Sequence, residues 1–254
     1  LIISISAYYL IKNRHIRLAK SSIKIALVIV AFASLFQLFT GHNSAVGVSK
    51  NQPAKLAAME AVFDDQTTAP LYLFGWVNED KQEVNFGIAL PGMLSYLIGF
   101  DTNTKVTGIN SFKEEDRPPV NIVFQSYHLM VAIGFTLIAI SLLGIFFWWR
   151  GTLFKQKWLM WVFVFSVLLP QIANQIGWIT AEVGRQPWIV YGLLRTSEGL
   201  SKAVEAGQVW FSLILFTIIY AGLFILFIYL LNEKIQHGPE DVDSIPSEIG
   251  HPKA

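Results

Sequence analysis

Four stretches of this chain run on with almost no charge: Ile23–Thr40, Asn121–Trp149, Trp158–Thr180 and Gly207–Leu231. Only Lys24, at its edge, and Gln37 interrupt the first. A helix needs roughly 18 to 20 apolar residues to cross the bilayer core. Lipid offers no partner for backbone N–H and C=O groups, so such stretches must pair them internally, as helices. Composition agrees. The 254 residues are 53% hydrophobic and 15% charged, whereas soluble domains carry about 25% charged residues. Leu1–Ile11 is also apolar but too short to span. It reads as the end of a further helix, with something preceding it. The expectation is an all-α integral membrane protein with four complete transmembrane helices, the end of a fifth, and one long loop.

The connectors set an orientation. Lys12, Arg14, Arg17 and Lys20 gather before the first full span, with Lys24 at its edge, and Arg150, Lys155 and Lys157 lie between the second and third, without acids. By the positive-inside rule both groups face the cytoplasm. The chain then divides as follows: 1–22, a helix end and cytoplasmic connector; 23–40, a span; 41–119, an external loop; 120–149 and 156–182, two spans; 183–206, an external connector; 207–231, the last span; 232–254, a cytoplasmic tail. The loop carries ten acids against six bases and is far longer than ordinary connections, which marks it as functional or disordered. Within it, Lys55–Phe63, Leu71–Val77 and Ile88–Phe100 are hydrophobic. Pro53 near the start of Ala54–Glu60 predicts a short helix. Lys55 and Glu60 are five apart, so they do not stack as an i,i+4 pair.

Several chemistries are excluded. There is no cysteine, hence no thiolate metal site, disulfide or thiol nucleophile. No phosphate-binding glycine loop, His-Glu-x-x-His motif or nucleophile elbow occurs. A net charge of +1 gives no basis for nucleic-acid binding. Only His128 among the five histidines lies within a span, and one histidine cannot form a haem pair.

Glu182 closes the uncharged third span, with Arg185 as its nearest partner. An ionisable group there is costly to desolvate and marks a functional site by default; the alternative is a membrane-edge salt bridge. Asn174, Trp178, Glu182 and Arg185 recur at spacings of four, four and three, predicting one stripe turned towards the bundle interior. Pro170 predicts a kink; Gly184 and Pro187 predict the helix end. Met130 lies about 16 Å along its helix from Pro119, at a depth similar to Glu182. Its thioether is a packing group or an axial iron ligand.

These residues resemble a family. Gly184–Trp188 reads Gly-Arg-Gln-Pro-Trp, preceded by Gly177-Trp178 and Ala181-Glu182. This is similar to the signature of subunit I of cytochrome bd-type quinol oxidases. Lys55–Glu60 resembles the start of that family's external quinol-binding loop, and Ile5–Leu10 the end of its fifth transmembrane helix. The loop's modest length resembles the short-loop subgroup.

The resemblance runs from about Ile3 to Leu231 and implies a haem-bearing oxidase subunit that takes electrons from membrane quinol and reduces O2 to water. It implies Met130 as a ligand to low-spin haem b and Glu182 as a ligand to a high-spin haem iron. The second high-spin group would be haem d or a further haem b. Arg185 would offset a carboxylate or propionate charge, Trp178 would pack beside the haems, and Lys55 and Glu60 would serve quinol oxidation. His128 stands where some relatives have arginine. The family's first helices, with further haem ligands, have no counterpart here, so this chain alone would be inactive. Implied partners are that N-terminal portion, subunit II, a small single-helix subunit and lipid, in a bacterial or archaeal cell membrane. The competing reading is a transporter or scaffold whose polar stripe is a solute or proton path.

Overall fold

A computed structural model describes residues 1–201 and 203–239 of the chain. Helix α1 (Ile2–Ile11) ends in a turn where Asn13 and His15 take positive φ, and α2 (Ile16–Asn51) follows. At about 1.5 Å per residue, the 36 residues of α2 extend about 54 Å, well past a hydrocarbon core of about 30 Å. The helix thus begins before Ile23 and continues beyond Thr40 into the segment expected to be loop. It stops at Gln52 because Pro53 disfavours helical backbone in the residue before it. Pro53 then opens α3 (Pro53–Met59), where its missing N–H costs nothing.

The rest of the loop contains structure that an all-α expectation omits. Strands β1 (Leu71–Asn78) and β2 (Glu83–Leu90) form an antiparallel hairpin with irregular register between Tyr72 and Trp76. Helix α4 (Met93–Gly99) follows. The hydrophobic piece Ile88–Phe100 is therefore shared between a strand end and a helix. Asp65 staples the loop's two ends. It accepts from Gly108 N–H at 2.9 Å and Ser111 Oγ at 2.5 Å, and pairs with Lys105 at 2.7 Å. Lys105 first, then Ser111 and Gly108, hold its carboxyl well below the usual carboxylate range.

Helix α5 (Val120–Trp149) is the spine of the bundle. The span expected over 156–182 consists of two helices, α6 (Lys157–Phe165) and α7 (Leu168–Val183). The break precedes Pro170, whose ring cannot donate to the Ser166 carbonyl four residues back. Leu169 N–H takes that carbonyl instead, at 3.2 Å. After α7, β3 (Trp188–Val190) and β4 (Leu194–Arg195) form a small hairpin. The last helix, α8 (Ala206–His237), opens with a reciprocal Glu205–Gln208 cap. It continues through the start of the tail expected from Asn232; residues 240–254 of that tail lie outside the described residues.

Four helical spans, Ile16–Asn51, Glu114–Trp149, Lys157–Val183 and Ala206–His237, are long and apolar enough to cross a membrane. The fold is therefore mostly helical, as expected, with two small hairpins added. Its buried residues form two clusters at opposite ends of the bundle. One joins α1, α2 and α6 with Leu153. The other joins α3, the hairpin and the first turns of α5 around Phe124. Helix α8 buries none of its residues and meets the others at its last turn. There Tyr9 Oη donates to Ile235 O at 2.9 Å and Arg14 to Gln236 O at 2.7 Å. Apolar side chains facing outward are ordinary where the solvent is lipid.

Phe124 is fully buried and holds the loop on α5. Truncating such an aromatic costs about 3–5 kcal/mol. Phe124→Ala should lower the thermal midpoint of the detergent-solubilised protein and make residues 60–119 the first segment cleaved in limited proteolysis. Cleavage beginning instead in the α6–α7 region would contradict this division of the fold.

Candidate functional site

The site forms where α7 ends against α5 and α3. The sequence allows the two long helices to come close because α7 presents small residues to α5. A side-chain carbon at Gly177 would lie 2.7 Å from Met130 Sδ, and one at Gly184 3.3 Å from Val123 Cγ1. Between them Thr180 is buried and its hydroxyl donates to Ser126 Oγ at 2.9 Å. Small residues and hydroxyl contacts of this kind bring helices together in membranes, where burying more oil-like surface gains little.

The expected stripe is not the face that packs on α5. Asn174 is exposed and Trp178 is 68% exposed, both turned away from α5. The face of α7 that meets α5 carries Gly177, Thr180 and Gly184. Glu182 and Arg185 lie at the boundary between the two faces, half-buried.

Glu182 and Arg185 form the expected ion pair through Oε2 and Nη2. Their side chains are 40% and 39% exposed, and pairs so exposed contribute about 0–1 kcal/mol. Stability does not account for placing them here. Arg185 Nε is also buried without a partner, an arrangement that costs free energy unless an acceptor arrives.

Lys55 joins this pair from the loop. Its Nζ donates to the carbonyl of Ala181 at 3.1 Å, and its Cγ lies against Gly184. Burial, and then the Arg185 charge, push its ammonium below the ordinary lysine range; Glu182 acts in the opposite sense. Three of the expected residues, Lys55, Glu182 and Arg185, are thus one cluster. Met130 belongs to the same helix pair, its sulfur over Gly177, which precedes Glu182 by about 7.5 Å of helical rise.

Glu60 is elsewhere. Five residues of helix turn it about 140° from Lys55, and it is 2% exposed beneath α3. Its side-chain partner is the Tyr127 phenol of α5, and its Oε2 has no partner. Burial raises its pKa from 4.5 to about 8, with the Tyr127 hydrogen bond opposing that rise. Lys55 and Glu60 therefore do not face each other as a pair.

His128 also faces the loop. Its Nε2 lies 2.9 Å from Tyr72 O, and its Nδ1 lies 2.9 Å from Phe124 O within its own helix. It ties β1 to α5.

Two neighbours of these residues have no signal in the spacing pattern. One is Tyr127. The other is Tyr191, between β3 and β4, whose phenol oxygen takes the Ala54 N–H. That N–H belongs to the first turn of α3, where backbone donors lack intrahelical partners. Arg195 anchors the same hairpin. It donates to Asp116 at 2.6 Å and Glu115 at 3.1 Å and stacks over Trp188 at 5.3 Å. Adjacent aromatic and charged residues after Pro187 were the available hint.

A membrane bundle that gathers a thioether, a carboxylate, a guanidinium and a half-buried amine at one end of two closely packed helices has the makings of a redox subunit. Comparison with known proteins gives the family. The model of cytochrome bd terminal oxidase subunit I matches residues 1–239, and the chain belongs to that family.

Cytochrome bd ubiquinol oxidase subunit 1 of Bacillus subtilis is 31% identical over 249 residues, covering 94% of this chain and 53% of the relative. Cytochrome bd-II ubiquinol oxidase subunit 1 of Escherichia coli is 26% identical over 309 residues, covering 96% and 60%. The solved bd oxidase of Geobacillus thermodenitrificans superposes with a TM-score of 0.82 at 31% identity, over 94% of this chain and 54% of that one. The chain spans about half the length of the curated relatives it matches.

Glu60 makes stability depend on pH with a definite sign. Its folded pKa lies above its unfolded one, so from about pH 4.5 to about 8 the native state keeps a proton that the unfolded chain has lost. Stability must fall as pH rises through that window. Glu60→Gln should flatten the decline, with a thermal midpoint at pH 8 at or above that of the parent. Parallel pH curves for the two proteins would show that Glu60 is not held protonated.

Proposed function

We propose that this chain is the part of a respiratory quinol oxidase subunit that carries the quinol-side loop and two of its haem ligands. The observation that carries the reading is the contact of Lys55 with the carbonyl preceding Glu182. It joins the loop to the Gly-Arg-Gln-Pro-Trp end of α7.

The residues present fit haem. Met130 supplies a thioether suited to a low-spin iron, and Glu182 a carboxylate suited to a high-spin one. Arg185 retains a buried N–H without an acceptor, as a propionate or ligand carboxylate would need. Trp178 offers an exposed aromatic face beside them. When bound, the haems, of b type with a further b or d group, supply one-electron transfer and O2 reduction.

The chain's own residues handle quinol and its protons. Each quinol releases two electrons and two protons, and O2 consumes four of each to give water. Lys55, desolvated and beside Glu182, holds a quinol oxygen by hydrogen bond. Glu60, with its pKa near 8, takes a hydroxyl proton through its ionised fraction, which is the minor form at neutral pH and grows as pH rises. Because the two side chains leave α3 in different directions, they act on different parts of the reaction rather than as a facing pair.

The basic connectors favour an outer position for the loop, so quinol protons would leave there while O2 draws protons from inside. Partners on this reading are the N-terminal part of subunit I, subunit II and a small single-helix subunit.

The assembled oxidase provides the test. Glu182→Gln should alter the high-spin haem bands and Met130→Leu the low-spin band. Haem spectra indifferent to both changes would refute these ligand assignments. Lys55→Ala should reduce quinol oxidation about 10-fold or more, while oxygen uptake from an artificial donor is largely retained. An equal loss in both assays would point to misfolding and remove Lys55 from the quinol site.

A further inference from the structure

The Glu60 carboxyl is an expensive feature with no structural reward. It is enclosed by the apolar cluster of α3, the hairpin and α5. No base forms an ion pair with it among the described residues. It caps the C-terminal end of α3, where helix carbonyls disfavour negative charge. Helix α2 and the Ile109–Ser111 turn also pack on α3, yet the one ionisable side chain acting on Glu60 is Tyr127 of α5. A phenol has a single proton to donate. The contact therefore leaves one carboxyl oxygen free, and Oε2 is buried with no partner.

Tyr127 is itself held in place. Its ring packs edge-on against His128 at 5.3 Å, and His128 stacks on Phe124 at 3.9 Å. The His128 ring in turn lies between the carbonyls of Phe124 and Tyr72. A rigid, two-torsion side chain braced on a pinned ring is an effective way to fix a flexible glutamate. Retention of an unsatisfied buried acceptor points to a donor that comes and goes.

We propose that Tyr127 is a positioning residue for quinol oxidation, one that anchors the Glu60 carboxyl so that the buried Oε2 is left without an internal partner and can pair with a quinol hydroxyl. This rests on the reading of Glu60 as the proton acceptor given above. Tyr127 keeps its own proton throughout; the hydroxyl proton passes to Oε2, and the electrons leave by the haems. Tyr127 also lies one helical turn from Met130 on α5. The proton-accepting carboxyl and the thioether are thereby fixed to the same rigid element.

The test uses the assembled oxidase carrying Tyr127→Phe, Glu60→Gln and both changes, with rates normalised to haem content. Infrared difference spectra identify the Glu60 carboxyl band as the one lost in Glu60→Gln. In Tyr127→Phe that band should move to higher frequency, since a hydrogen bond to it is removed. The rising limb of the pH profile for quinol oxidation should shift to higher pH, because a hydrogen bond to the carboxylate favours ionisation. A shift of one pH unit would appear near neutrality as a loss of about 10-fold. The double variant should be no slower than Glu60→Gln alone. An unmoved band, an unmoved profile, or multiplying losses in the double variant would overturn the role of Tyr127. Full quinol activity in Glu60→Gln would instead overturn the reading of Glu60, and the proposal with it.

Discussion

Everything at the loop end depends on how closely α7 approaches α5. In lipid, two helices gain little by hiding apolar surface from one another, so contact must come from close packing and shared hydrogen bonds. Gly177 and Gly184 remove the side chains that would hold the helices apart, and the Thr180–Ser126 hydroxyl pair fastens the middle. Once that distance is set, Met130 lies over Gly177 and Arg185 over Glu182. Lys55 can then reach the last carbonyls of α7. A larger residue at Gly177 would press on the thioether, and one at Gly184 on the Thr180 carbonyl and then the lysine stem.

The same principle explains what the sequence did and did not disclose. The uncharged stretches revealed the spans, Pro53 the start of α3, and Gly184 the end of α7, because each is dictated locally by hydropathy or backbone sterics. The facing of α7 was not legible from its polar stripe. In water the buried side of a helix is its apolar side, but here Thr180 and the glycines meet α5 while Asn174 and Trp178 do not pack on it. Small size, rather than polarity, marks the contact face.

The hairpin Leu71–Leu90 was missed for a different reason. Register shifts between Tyr72 and Trp76 break the alternation by which a strand is recognised. Lys55 and Glu60 were legible as residues of interest, but not as residents of two environments. A five-residue spacing directs them to different neighbours, and those neighbours, α7 and Tyr127, lie more than 60 positions away in sequence. His128 likewise offered no hint that its ring would brace the loop.

The uninterrupted run of α2 past its apolar segment acts as a phased ruler. It carries the chain from the membrane to Pro53 without a hinge, so the azimuth of α3 is tied to the number of residues below it. One residue inserted between Thr40 and Asn51 would raise Pro53 by about 1.5 Å and rotate it by about 100°, swinging Lys55 off the Ala181 carbonyl. Seven inserted residues would restore the azimuth to within about 20° yet lift the loop by about 10 Å. Height and direction cannot both be recovered, which makes the length of this segment as constrained as any side chain in the site.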